Sequence, residues 1–183
     1  MRAVIAVLAL LLLAPIAGST QVVRLSLPDL VDRAALVVEG RCLSVKTERD
    51  ARGVIVSEVS LYVDRGRKGA QDGEVLTFQM PGGELAGKRL VIPGLPTFAP
   101  GDEVFLFLTE PSLRGWRMPV GLGQGLYRMS VDASTSQRRL VRDLTGLELV
   151  DAVTGQGVDA PTRQELAYRT LVDEVERLLA EDR

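Results

Sequence analysis

The chain has no histidine and a single cysteine, Cys42, and only 4% of its residues are aromatic. Without imidazole there is no Ser-His-acid or Cys-His nucleophile system, and no His-bound zinc, copper or iron. One thiol builds neither a thiolate metal site nor a C-x-x-C redox centre, and it cannot close an internal disulfide. Cys42 lies in a strand-like run and reads as a small buried apolar filler. Asparagine is absent too, so there is no N-glycosylation acceptor. No D-x-D-x-D-G calcium loop occurs, and the run Gly121 to Gly125 lacks the G-x-x-x-x-G-K-[ST] spacing of a phosphate loop. The residues therefore call for no cofactor and no metal.

An excess of charge of either sign is also lacking. The net charge is −2, and loss of Arg2 with an N-terminal leader would make it −3. Nucleic acid needs a concentrated positive face, so it is not an expected partner. That leader is residues 1–19: Arg2, an apolar run from Val4 to Ile16, then small residues at Ala17 and Ser19. The run is shorter than the about 20 residues that span a bilayer, and the pattern is that of a cleaved secretory signal. The expected product is a secreted or periplasmic chain of about 160 residues with no membrane span, long enough for one domain with its own core.

The strongest pattern is the stretch Met80 to Leu108. Val104 to Leu108 is apolar on both parities, so both faces of that strand should be covered. Ser26 to Ala34 reads as a short helix with a capping box from Ser26 to Asp29, Pro28 in its first turn, and Leu30, Val31 and Ala34 inward. Leu36 to Lys46 and Ile55 to Asp64 read as strands around a turn at Thr47 to Gly53. A bulge near Gly40 would bring Leu36, Val38, Leu43 and Val45 onto one face. RGRKG, Arg65 to Gly69, reads as a solvated turn. Further strands are expected at Val75 to Met80, Lys88 to Ile92, Tyr127 to Val131 and Arg138 to Leu144, with a tight turn at Gly82-Gly83. The glycines of Gly121 to Gly125 mark a bend or bulge. Residues 145–161 show no period and read as a loose connection. Residues 162–181 read as a helix with a second capping box, Thr162 to Glu165, and a stripe of Leu171, Val172, Val175, Leu178 and Leu179.

These elements imply a mostly β domain over residues 20–144. The expected form is a small, partly open barrel of the oligonucleotide/oligosaccharide-binding (OB) type, or a sandwich, with a short N-terminal helix and a C-terminal helix over one end. The segments AALVVEGRCLSV, VSLYVDRGRKG, PGG, PGLPTFAPGDEVFLFL and VGLGQGLYRM resemble, in that order, an uncharacterised group of exported bacterial β-domain proteins. The resemblance spans about Ala34 to Met129 and carries no catalytic residue with it. More remotely, the early strands are similar to the netrin/tissue-inhibitor barrel, which implies an OB-like fold. Inhibitors of that type chelate a protease's metal with an N-terminal cysteine, where this chain has Thr20 or Gln21.

The preferred functional expectation is an exported, non-enzymatic binding module. Its partner would be an extracellular protein such as a protease, or an envelope component, met through the loop residues Leu95, Pro96, Phe98, Trp116 and Arg117. Two alternatives stand beside it. Glu84, Asp102 or Glu103 would serve a hydrolase acting on a cell-wall or extracellular polysaccharide if two of them faced each other across a cleft. The final helix stripe would serve a self-associating envelope protein.

Overall fold

In the computed structural model, residues 19–132 and 135–181 are described, so all of the expected leader but Ser19 lies outside the described residues. The chain order is β1 Thr20–Val23, α1 Leu27–Arg33, β2 Leu36–Arg49, β3 Ile55–Lys68, β4 Val75–Pro81, β5 Gly83–Leu85, β6 Lys88–Leu90 and β7 Glu103–Leu108. A 3-10 turn at Leu122–Gly125 follows, then β8 Leu126–Val131, β9 Arg138–Asp143, β10 Leu147–Val150, β11 Arg163–Ala167 and α2 Tyr168–Glu181. Seven strands form one antiparallel sheet in the order β11-β9-β8-β7-β2-β3-β4. Beside it stand the hairpin β5–β6 and a parallel pair, β1 with β10.

Two long strands, β2 and β3, carry the curvature. Asp50 closes the turn between them by accepting hydrogen bonds from the Arg52 and Val54 amides at 2.9 and 2.8 Å. Their pairing slips at three places, leaving Arg67, Asp64 and Leu43 as the extra residues. Such bulges raise the local twist and re-aim side chains. At Gly40 the strands approach so closely that a Cβ would stand 2.2 Å from the Tyr62 carbonyl oxygen. The irregularity expected near Gly40 is thus present, but the pleat of β2 reverses at Leu43. Cys42 and Val45 pack on one side, while Leu43 is exposed.

The central strand β7 is covered on both faces, as its apolar run requires. Val104, Leu106 and Leu108 join Leu36, Val38, Cys42, Val59, Leu61 and Val63 on one side. Phe105 and Phe107 join Val37, Tyr127 and Leu140 on the other, beneath the two helices. The sheet rolls over the first cluster without closing into a barrel. Among the described residues, β4 meets the loop after β7 through one backbone bridge, Gln79 with Trp116.

Helix α1 has the capping box read from Ser26-x-x-Asp29: the Ser26 Oγ accepts from the Asp29 amide, and the Ser26 amide donates back to Asp29 Oδ2 at 2.8 Å. Leu30, Val31 and Ala34 are buried as expected. The stripe of α2 lies on this chain's own sheet, with Leu171 and Val175 buried against the Phe105 cluster.

Four expectations are corrected. Residues 163–167 are an edge strand paired with β9, so the helix begins at Tyr168 and Thr162-x-x-Glu165 caps nothing; alternation of Gln164 and Leu166 toward the sheet overrides local helix preference. Residues 145–161 contain β10, whose Leu149 and Val150 are buried by β1. Arg65 to Lys68 is the end of β3, because its polar groups have partners in the fold (below). The tight turn in the Gly-rich stretch is at Ala86-Gly87, with φ of 51° and 72°, while Gly82 and Gly83 carry the chain out of β4.

One buried amide ties the N-terminal segment to the sheet. Gln124, in the 3-10 turn, accepts from the Leu25 amide at 2.8 Å and donates to the Val23 carbonyl at 3.0 Å. Gln124→Ala leaves a buried N–H unpaired and should lower stability by about 2–3 kcal/mol, read as a reduced urea midpoint. The α1 cap predicts a pH effect as well. Hydrogen bonds from Ser26 hold the Asp29 carboxyl below its ordinary value of 3.8. The unfolded chain therefore takes up this proton first, so the contribution is complete above that value and is lost as pH falls through the lower, folded one. Asp29→Asn should make the acid side of the stability–pH curve less steep.

Candidate functional site

The loop from Ile92 to Asp102 cannot continue a strand, because Pro93, Pro96 and Pro100 remove donors from the ladder. It instead folds back over the end of β2, β3 and β4, pinned at Asp102, whose Oδ2 accepts from the Ala99 amide at 2.9 Å. Between this loop and the β5–β6 hairpin opens a slot of about 270 Å³. Its floor is Val59, Met80 and Phe98; its walls include Val45, Leu95 and Pro96; Glu84, Arg89 and Val91 stand along it as exposed residues. Phe98 is only 9% exposed and meets Phe78 edge-on at 5.7 Å, so it belongs to the first core cluster and offers one surface to the slot. Glu84 and Arg89 oppose each other across the hairpin, and among the described residues neither makes an ion pair.

Leu95, Pro96 and Phe98 are therefore brought together, and Trp116 and Arg117 are not. Those two sit at the edge of β4, where the Arg117 amide donates to the Gln79 carbonyl at 2.9 Å. The Arg114 guanidinium lies 4.8 Å over the Trp116 ring, and the indole N–H is shielded without an acceptor. Arg117 donates to the Thr109 carbonyl at 2.9 Å and steadies the loop that holds both residues.

The three candidate acids are dispersed. Glu84 lines the slot. Asp102 is engaged by Ala99 and by Arg128 at 3.4 Å. Glu103 pairs with Arg41 at 3.4 Å and lines a different, polar groove. No two of them share a cavity, so none of the pairs has the opposed placement that glycoside hydrolysis uses. Cys42 is buried in the first cluster, where burial and then the Asp102 charge push its thiol up. A protonated, enclosed thiol is a poor nucleophile. Among the described residues no three His, Cys, Asp or Glu gather into a metal site.

The sequence reading missed a buried charge cluster where the sheet meets α2. Glu39, 3% exposed, shares the parity of Val37 and so points toward the helices. Arg67, the extra residue of a bulge, turns toward it: its Nε donates to Glu39 Oε1 at 2.8 Å and its Nη2 joins the same oxygen. Tyr168 Oη donates to the other Glu39 oxygen at 2.7 Å, and Arg67 Nη1 reaches Glu176 at 2.5 Å. The guanidinium also lies 5.5 Å over Phe105. Burial works against the Arg67 charge, but the bonds to Glu39 and Glu176 outweigh it and hold the group above its ordinary value. Next to it, Lys68 Nζ donates to the Val31 carbonyl at 2.9 Å, closing the end of α1. The available signal was Glu39 itself, a charge directly after the apolar run Leu36 to Val38, with cations to pair it at Arg41 and in RGRKG.

Removing one member of a buried pair strands the other. Glu39→Ala and Arg67→Ala should each cost about 3–5 kcal/mol in denaturant unfolding, while Tyr168→Phe should cost about 1 kcal/mol. No protein-family model, no curated protein and no solved structure matches the chain.

Proposed function

We propose that the protein is an exported, non-enzymatic binding module; the resemblance of its strand and loop motifs bears on export alone. It engages a protein partner by taking up an apolar side chain between the Pro-rich loop and the β5–β6 hairpin. The observation that carries this reading is the slot itself. Its volume of about 270 Å³ is at or below the range of about 300–1,000 Å³ used for small-molecule ligands, and suits one or two side chains. Val59, Met80 and Phe98 on its floor supply apolar contact. Glu84 and Arg89 offer one charge of each sign to the peptide or side chains flanking the anchor. An apolar anchor in a pocket ringed by polar groups is the usual distribution of energy in a protein interface. The acids of the hydrolase alternative are apart, and the helix stripe of the self-association alternative is occupied by the sheet.

A photo-crosslinking side chain tests this. Placed at Val91, which is 61% exposed and lines the slot, it should give one defined adduct in the exported fraction; placed at the exposed Val153 it should not. Leu95→Asp should abolish the adduct while leaving the unfolding temperature within a few degrees. Equal adducts from both positions, or an adduct indifferent to Leu95→Asp, would remove the slot as the contact.

A further inference from the structure

A second cavity, larger and of opposite character, lies on the helix side of the sheet. It is a groove of about 690 Å³, within the range of ligand sites, with Glu39 on its floor and Arg41, Tyr62, Arg65, Arg138 and Tyr168 among its walls. Its charges are matched. Arg41 pairs with Glu103 at 3.4 Å, Arg65 with Asp72 at 2.7 Å, and Glu39 with Arg67 beneath. The remaining two groups are of opposite sign: Asp64, and Arg138, which lies 5.8 Å over the Tyr168 ring. A charged ligand would gain no net attraction here and would lose hydration on entering.

A ligand rich in hydroxyls meets a different surface. Each hydroxyl both donates and accepts, and the groove presents carboxylate oxygens and guanidinium N–H groups side by side. Those groups are already held by one another, so less side-chain freedom is lost on binding. The groove also has an apolar platform. Tyr62 is 41% exposed, and its cross-strand partner Val75 is 56% exposed. A pyranose has this pairing of surfaces, a C–H face for an aromatic ring and a rim of hydroxyls for paired charges.

From this juxtaposition we infer that the groove is a binding site for a neutral oligosaccharide, with Tyr62 as the stacking platform and Asp64, Arg138 and the Arg41–Glu103 pair as hydrogen-bonding groups. The site is independent of the slot proposed above, and so is its test. The purified protein is titrated with cellotetraose, maltotetraose and tetra-N-acetylchitotetraose by calorimetry, with saturation-transfer NMR to find which ligand protons touch the protein. At least one of the three should bind, with its ring C–H protons most strongly saturated. A tenfold rise in salt should leave the affinity unchanged, because screening acts on net attraction between exposed charges. Tyr62→Ala should weaken binding by about tenfold and Tyr62→Phe should retain most of it, as loss of an aromatic face predicts. Tyr62 is an exposed residue of β3, and an unchanged unfolding temperature checks that the variants fold. Failure of all three sugars to bind, binding that Tyr62→Ala leaves intact, or binding that falls with salt would overturn the inference. Val91 variants should bind the sugar as the parent does; if they lose it, the sugar occupies the slot and the groove assignment fails.

Discussion

A strand with side chains from Val104 to Leu108 all buried needs cover on two sides, and the rest of the molecule is arranged around that need. The two covers are made differently. On one side the sheet supplies its own, because the bulged pair β2–β3 bends β4 and the Pro-rich loop over Val104, Leu106 and Leu108. On the other, α1 and α2 lie over Phe105 and Phe107. No internal disulfide is possible with one cysteine, so stability must come from this double burial, at roughly 25 cal/mol per Å² of apolar surface removed from water.

The buried pair of Glu39 and Arg67 stands where the helical cover meets the sheet. Replacing such a pair by apolar groups of like volume is often harmless to stability. Its effect here is geometric: four side chains from β2, β3 and α2 satisfy one another only in a single placement of the helix. Hydrophobic packing of Leu171 and Val175 would tolerate sliding of α2, whereas directed bonds from Tyr168 and Glu176 do not. The same cluster floors the polar groove, so the rigidity of that surface comes from the interior.

Much of the fold was legible in local pattern. The α1 capping box follows from Ser26, Pro28 and Asp29, which lie within four residues of one another; the double burial of β7 follows from unbroken apolarity. Features set at long range were not legible. Arg163–Ala167 has a helical capping signature and becomes a strand because β9 offers an edge. RGRKG is a surface composition, and only pairing with Glu39 and the α1 carboxyl end makes it part of the interior. Of the candidate site, Leu95, Pro96 and Phe98 are neighbours in sequence and were found together. Trp116 stands out in the sequence by residue type alone, and the backbone bridge to Gln79 carries it elsewhere. Glu84 and Arg89 reach the slot through the Ala86-Gly87 turn, whose positive φ at an alanine has no marker in the chain.

The pairing of β1 with β10 joins Thr20–Val23 to Leu147–Val150, across most of the described chain. During synthesis, residues 20–23 emerge long before their companion strand exists. The Gln124 amide that receives Leu25 and Val23 arrives only a little earlier. Residues 20–23 are therefore among the last to settle, and until then they remain open to peptidases and to any chaperone that meets the nascent chain.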